Sequence, residues 1–114
     1  MENEEPWRRK IVRRDVVFAS LDELMKIYST KQLKAFVWPD EGAFRDGEWH
    51  FNDEHRGQFE PLLIDPQTAK AMTLIHEALT QRNKATFAEY VGKGRGYFGQ
   101  CFEFSWKHVR FGPA

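Results

Sequence analysis

Apolar residues recur at helical spacing through much of the second half of the chain, between residues 63 and 91. Asp65 is a suitable N-cap, and Pro66 suits the first helical position because its missing N–H would have no partner there. The apolar face of this predicted helix consists of Thr68, Ala71, Met72, Ile75, Ala78 and Leu79. Asn83 is a suitable N-cap for a second, shorter helix, and we expect that helix to end at Gly92. The region is therefore predicted to be a helical hairpin or a kinked pair that serves as a scaffold.

The last part of the chain fits two hydrophobic templates. Strict alternation accounts for Phe102, Phe104 and Trp106 but fails at Val109 and Phe111. Helical spacing accounts for a longer series, made up of Phe98, Cys101, Phe102, Ser105, Trp106 and Val109. We therefore predict a third helix in this segment, preceded by a basic, glycine-rich loop at residues 93–100.

The first half of the chain contains shorter segments. Residues 15–19 are β-branched and aromatic, which indicates a short buried strand. Ser20 and Glu23 have the spacing of a capping box, which predicts a helix from Leu21 to about Tyr28. The end of the segment 31–38 predicts a second strand, although its first half would suit a helix equally well.

Asp46-Gly47, placed between alternating residues, is the strongest hairpin signal in the chain. Residues 58–64 are predicted to be extended. Together these elements predict an α+β fold, in which a small antiparallel or mixed sheet from the N-terminal half packs against three helices of the C-terminal half. We expect a flexible charged arm at residues 1–14 and a single domain at residues 15–114.

Composition excludes several classes of protein. The 114 residues carry 17 basic and 17 acidic side chains, so no global charge attracts nucleic acid or an acidic membrane. The chain contains no apolar run long enough to span a membrane, and its acidic first residues do not resemble a signal peptide. The single cysteine is typical of a reducing compartment. We therefore expect a soluble, cytoplasmic protein with no membrane partner.

Candidate catalytic and metal-binding residues do not form a recognisable set. His50, Asp53, Glu54 and His55 cluster in sequence but lack the ligand spacing of a zinc site. Cys101 lies on the apolar stripe of the last predicted helix, where a cysteine packs as a small hydrophobic residue. The motif at 94–99 has the G-x-G-x-x-G pattern, but it follows a predicted helix instead of a strand. We therefore expect a protein that is not an enzyme and that binds no cofactor or metal ion.

Two groups of basic residues could contact a nucleic acid, which is an alternative function. The first group lies in the N-terminal arm and consists of Arg8, Arg9, Lys10, Arg13 and Arg14. The second group lies in the predicted glycine-rich loop, where Lys93 and Arg95 could contact phosphates and Tyr97 could stack on a base.

The aromatic content favours a different function, the binding of another protein. The chain has four tryptophans and ten phenylalanines, and Trp7, Trp38 and Trp49 are the candidates for anchors at a surface. Because no catalytic set accompanies them, we predict a small non-enzymatic accessory protein with an unidentified protein partner.

Several segments in the second half of the chain resemble those of a known group of proteins. They are residues 62–69 (LLIDPQTA), Ala78-Leu79, Asn83, Lys84, Phe87 and residues 105–107 (SWK). In these segments the chain resembles small uncharacterised accessory proteins carried by phages, plasmids and integrated elements. The resemblance implies a shared fold, and such proteins are often regulators or inhibitors of host machinery.

Overall fold

The computed structural model describes residues 15–52 and 60–110, which form five strands and four helices. The strands are β1 (Val16–Phe18), β2 (Lys34–Val37), β3 (Gly42–Arg45), β4 (Glu48–Phe51) and β5 (Leu62–Ile64). The helices are α1 (Leu21–Thr30), α2 (Pro66–Ala78), α3 (Gln81–Lys93) and α4 (Arg95–His108). The strands lie mainly in the N-terminal half and three of the helices in the C-terminal half, which confirms the predicted α+β fold.

The described strands form two small sheets. In the first sheet, β2 lies between β1 and β5, parallel to β1 and antiparallel to β5. The β1–α1–β2 unit is therefore a parallel crossover, with α1 as its helix. The second sheet is the hairpin of β3 and β4. The sequence pattern left the number of strands open, and the structure gives three strands plus a separate hairpin.

Local sequence signals explain α1 and the hairpin. The Oγ atom of Ser20 accepts a hydrogen bond from the N–H of Glu23 at 3.1 Å, as the predicted capping box requires. In the hairpin, Asp46 and Gly47 have φ angles of 53° and 77°. Two successive positive φ angles define a type I′ turn, which matches the twist of the flanking strands. The predicted hairpin and the predicted cap of α1 at Ser20 are confirmed.

The boundaries of α2 and α3 are predicted only in part. Asp65 caps α2, where its Oδ1 atom accepts a hydrogen bond from the N–H of Thr68 at 2.8 Å. Asn83, however, lies inside α3, and the cap is Thr80, whose Oγ1 atom accepts from the N–H of Asn83 at 3.3 Å. The prediction that Gly92 ends this helix is also wrong, since α3 continues to Lys93.

The predicted glycine-rich loop does not exist as a loop. Gly94 alone separates α3 from α4, and Arg95 begins the next helix. The apolar stripe predicted for α4 is also narrower than its pattern suggests. Phe98, Cys101 and Ser105 are buried, whereas Phe102 and Trp106 are exposed on one flank of the helix.

The buried residues form two clusters on opposite faces of the three-stranded sheet. The larger cluster lies between the sheet and the helices, and it includes Phe36 from β2 and Leu24 from α1. The smaller cluster lies between the sheet and the hairpin, where Val16, Ala35 and Val37 pack with Trp49. Alternation along β2 explains this division, because successive strand residues point to opposite faces. In the described ranges, no helix is both long and apolar enough to cross a membrane.

Candidate functional site

Trp38, predicted to be a surface anchor, lies in the core. Its side chain is 0% exposed and contacts the rings of Phe36 and Phe98, with centroid distances of 6.2 and 5.5 Å. The indole Nε1–H donates a hydrogen bond to the carbonyl oxygen of Val91 at 2.9 Å. This oxygen belongs to the last turn of α3, where carbonyl groups lack partners within the helix. The prediction for Trp38 is therefore wrong, because its burial and its hydrogen bond both serve the fold.

A charged pair joins the turn after β2 to the start of α4. The Nε and Nη2 atoms of Arg95 donate to Oε2 and Oε1 of Glu41 at 2.7 and 3.1 Å. The Oε1 atom of Glu41 also accepts a hydrogen bond from the N–H of Trp38 at 3.2 Å. The guanidinium lies 5.3 Å from the Trp38 ring centroid, and its Nη2 atom also donates to the carbonyl oxygen of Glu60 at 3.0 Å. We call Glu41, Arg95 and Trp38 the clamp.

The clamp changes the interpretation of the predicted phosphate-binding group. Arg95 is held by a carboxylate and a carbonyl oxygen, so its guanidinium already has partners within the fold, and its contact with phosphates stays a prediction. The ammonium of Lys93 lies 4.5 Å from the ring centroid of Tyr97 and 5.7 Å from that of Tyr90. Lys93 and Tyr97 are therefore close together and exposed, but they lie at a helix junction without a glycine-rich cradle.

Trp7 and the five basic residues of the arm (Arg8, Arg9, Lys10, Arg13 and Arg14) lie outside the described residues. Their assignment to a protein or a nucleic acid partner stays a prediction. Asp53, Glu54 and His55 also lie outside the described residues. Over residues 15–52 and 60–110, no three His, Cys, Asp or Glu side chains are grouped so that they could hold a metal ion.

Cys101 is buried, as predicted, and burial raises the pKa of its thiol to about 11. Its Sγ atom lies 3.9 Å from the carbonyl oxygen of Phe87. A thiol with a raised pKa is a poor nucleophile at neutral pH, because the thiolate is the reactive form. Cys101 also lies at the base of an apolar groove of about 290 Å³ between α3 and α4, which Leu79, Tyr90 and Phe104 help to line.

His76 is half-buried on α2, with its ring 5.7 Å from that of Phe87. Burial lowers the pKa of His76 below its ordinary value of 6.5, and the nearby charge of Lys84 lowers it further, against a smaller opposite effect of Glu77. Its Nδ1 atom is buried and has no hydrogen-bond partner. The surroundings of His76 therefore favour the neutral imidazole.

Trp49, the third predicted anchor, is only 8% exposed, so its assignment as an exposed anchor is wrong. Its ring lies between those of Phe18 and Phe44, with centroid distances of 4.9 and 5.2 Å. These two phenylalanines are 40% and 53% exposed. Trp49 thus forms the floor of an aromatic surface whose exposed members are Phe18 and Phe44. We call these three residues the aromatic surface.

Neither exposed member stands out in the sequence. Phe18 belongs to a segment that its composition predicts to be buried, and Phe44 lies in a strand that only the Asp46-Gly47 hairpin signal indicates. Alternation within the predicted strands was the available signal, because it places neighbouring residues on opposite faces. The pattern does not reveal, however, that the hairpin packs against the sheet and leaves both rings partly uncovered.

The aromatic surface borders a groove of about 580 Å³. The groove is lined by Val16, Val17, Phe18, Ala19, Ser20, Glu23, Phe44 and Trp49. Five of these residues are consecutive, and their side chains alternate between the two faces of the sheet, so the groove runs along the edge of β1. Within the described ranges, β1 pairs only with β2. We call this feature the β1 groove.

Comparisons with known proteins give no relative from which a function could be transferred. No protein-family model matches the chain, and neither the curated proteins nor the solved structures contain a match.

Proposed function

We propose that the protein acts by binding another protein, as a non-enzymatic accessory factor, and that the aromatic surface is the contact. The observation that carries the proposal is the exposure of Phe18 and Phe44 on either side of Trp49. Large aromatic rings that remain partly exposed, yet are fixed by packing, are typical of binding hot spots.

The fixed position of the rings supports this function. Phe18 lies on β1, and Phe44 lies on β3, opposite Trp49 in the register of the hairpin. Trp49 in turn packs on Val16, Ala35 and Val37 of the sheet. Because these contacts already restrict the rings, little side-chain conformational entropy would be lost when a partner binds to them.

A pull-down from a lysate of the source cells would test the proposal. The full-length protein, the Phe44→Ala variant and the Phe104→Ala variant would each be immobilised and exposed to lysate with and without nuclease, and the eluates would be quantified by mass spectrometry. Phe104 is an exposed phenylalanine on α4, so it is the matched control. We expect a protein that wild type and Phe104→Ala recover equally and that Phe44→Ala binds about 30-fold more weakly, since a hot-spot ring contributes about 2 kcal/mol or more.

Two results would contradict the proposal. Equal recovery by the Phe44→Ala variant would remove the aromatic surface from the contact. Recovery that disappears on nuclease treatment would instead favour the alternative proposal, in which nucleic acid binds the basic residues of the arm. Circular dichroism of both variants would verify that the fold is retained.

A further inference from the structure

Within the described residues, β1 pairs along one edge only, so its outer edge offers backbone groups to a partner. The N–H of Ala19 donates to the carbonyl oxygen of Val37 at 2.9 Å, so the backbone of Ala19 points toward β2. Backbone groups of successive strand residues point to opposite edges, and those of Val16 and Phe18 therefore point away from β2, into the β1 groove.

Natural proteins protect such an edge by keeping the strand very short or by placing lysine, proline or a bulge on it. Of these devices, β1 has the short length, three residues. The β1 strand, Val-Val-Phe, contains neither lysine nor proline, and its three residues pair with β2 in continuous register without a bulge. An edge that is apolar, regular and open along a groove is suited to the addition of a strand, in which main-chain hydrogen bonds contribute affinity.

The two faces of the sheet determine which side chains the added strand needs. Val16 and Phe18 point to the face that the hairpin covers, toward Trp49 and Phe44. Val17 points to the opposite face, where it packs against the larger cluster that also contains residues of α1. Residues directly opposite each other in paired strands share a face. Partner residues opposite Val16 and Phe18 would therefore contact aromatic rings.

Charge determines which partner residue suits the position opposite Val17, between the two apolar residues. Glu23 is the charged residue that lines the β1 groove, and it lies in the first turn of α1, on the same face as Val17. Its Oε2 atom is 3.7 Å from the ammonium of Lys26, whose side chain is 65% exposed. Such an exposed ion pair is weak and can exchange partners. A basic side chain opposite Val17 would therefore find a carboxylate within reach.

We propose that the partner contributes an extended segment that pairs with the outer edge of β1 and carries a basic residue between two apolar residues. This inference rests on the proposed function and specifies the kind of segment that the aromatic surface binds. The apolar residues pack on Phe18 and Phe44, and the basic residue pairs with Glu23.

A labelled synthetic peptide would test the inference by fluorescence anisotropy with the full-length protein. The probe is a capped heptapeptide, Ser-Thr-Val-Lys-Val-Thr-Ser, with fluorescein at one end. Replacing its lysine by glutamate should weaken binding about fivefold, and the Glu23→Lys variant should reverse this preference. Glu103→Lys, a substitution at an exposed residue of α4, is the matched control and should leave the preference unchanged.

Methylation of backbone nitrogens tests the strand pairing itself. One peptide is methylated at both valines and a second at the lysine. In antiparallel pairing, the N–H groups of the valines point to β1 and that of the lysine points away; in parallel pairing the assignment is reversed. A loss of binding of about tenfold in one of the two peptides supports strand addition. Equal affinity of both for the protein, or an equal loss in both, overturns it.

The outcomes separate this inference from the proposed function. If the peptides do not bind but the pull-down still depends on Phe44, then protein binding stands and strand addition fails. If the peptides do not bind and the pull-down does not depend on Phe44, both proposals fail. A concentration-dependent dimer that the Phe18→Lys variant abolishes would show that a second copy occupies the edge, and it would also overturn the inference.

Discussion

The clamp gives a quantitative prediction about stability. Glu41 has a side chain that is only 10% exposed, whereas that of Arg95 is 37% exposed. Replacing Arg95 by methionine retains an apolar stem against Trp38 but leaves the Glu41 carboxylate buried, with the Trp38 N–H as its remaining donor within the clamp. We therefore expect the larger loss of stability when the arginine is removed.

The magnitude follows from the burial of the pair. Removing one partner of a fully buried ion pair costs about 3–5 kcal/mol. Because water reaches Arg95, we expect a loss of about 2 kcal/mol for Arg95→Met. Glu41→Gln keeps an acceptor for the N–H of Trp38 and should cost about 1 kcal/mol. In the double variant no carboxylate is left unpaired, so its loss should be about 2 kcal/mol, which corresponds to a coupling of about 1 kcal/mol.

Urea unfolding of the four proteins, followed by far-UV circular dichroism, measures this coupling. Arg110→Met is the matched control, because Arg110 is exposed and donates to the nearby backbone carbonyl oxygens of His108 and Val109. Its free energy of unfolding should change by less than about 0.5 kcal/mol. Losses that add within about 0.3 kcal/mol would refute the clamp as an energetic unit.

Three further predictions concern single residues. At pH 8, Cys101 should react with iodoacetamide about 100-fold more slowly in the folded protein than in urea, because burial raises its pKa from 9.0 to about 11; rates within tenfold of each other would contradict this. The pKa of His76 is lowered on folding, so the folded state binds fewer protons and the free energy of unfolding should fall as the pH drops below about 7 toward the folded pKa. A His76→Gln variant should lack this part of the pH dependence in urea titrations at pH 7.5 and 5.5, and identical differences in both proteins would contradict the assignment. Ser20→Ala should cost about 1 kcal/mol through loss of the α1 cap, whereas Ser29→Ala, the control, should change the urea midpoint little.

Local signals were most informative where a few neighbouring residues decide the conformation. The hairpin depends on Asp46 and Gly47, which adopt positive φ angles at low cost. The start of α2 depends on Asp65 and Pro66, and the start of α1 on Ser20. In each case the sequence offers a side chain with the right chemistry at the position where a backbone group would otherwise lack a partner.

The same signals failed where several neighbours could serve. Thr80 and Asn83 are both good N-caps. The helix α3 begins after Thr80 and places Phe87 and Val91 in the larger cluster. Gly94 also leads a glycine-rich segment whose composition favours a loop, yet burial of Phe98 and Cys101 favours a helix. Tertiary packing overrides propensity in such segments, since the helix propensities of residues other than proline differ by at most about 1 kcal/mol per residue.

The candidate site was only partly visible in the sequence. Hydrophobic periodicity and capping residues predict the α+β class and most of the elements, and the aromatic content favours protein binding. Which rings are exposed depends on tertiary packing, because the positions of Phe18, Trp38 and Trp49 depend on contacts between segments far apart in the chain. Arg95 pairs with Glu41 across 54 positions, and no local pattern encodes that distance.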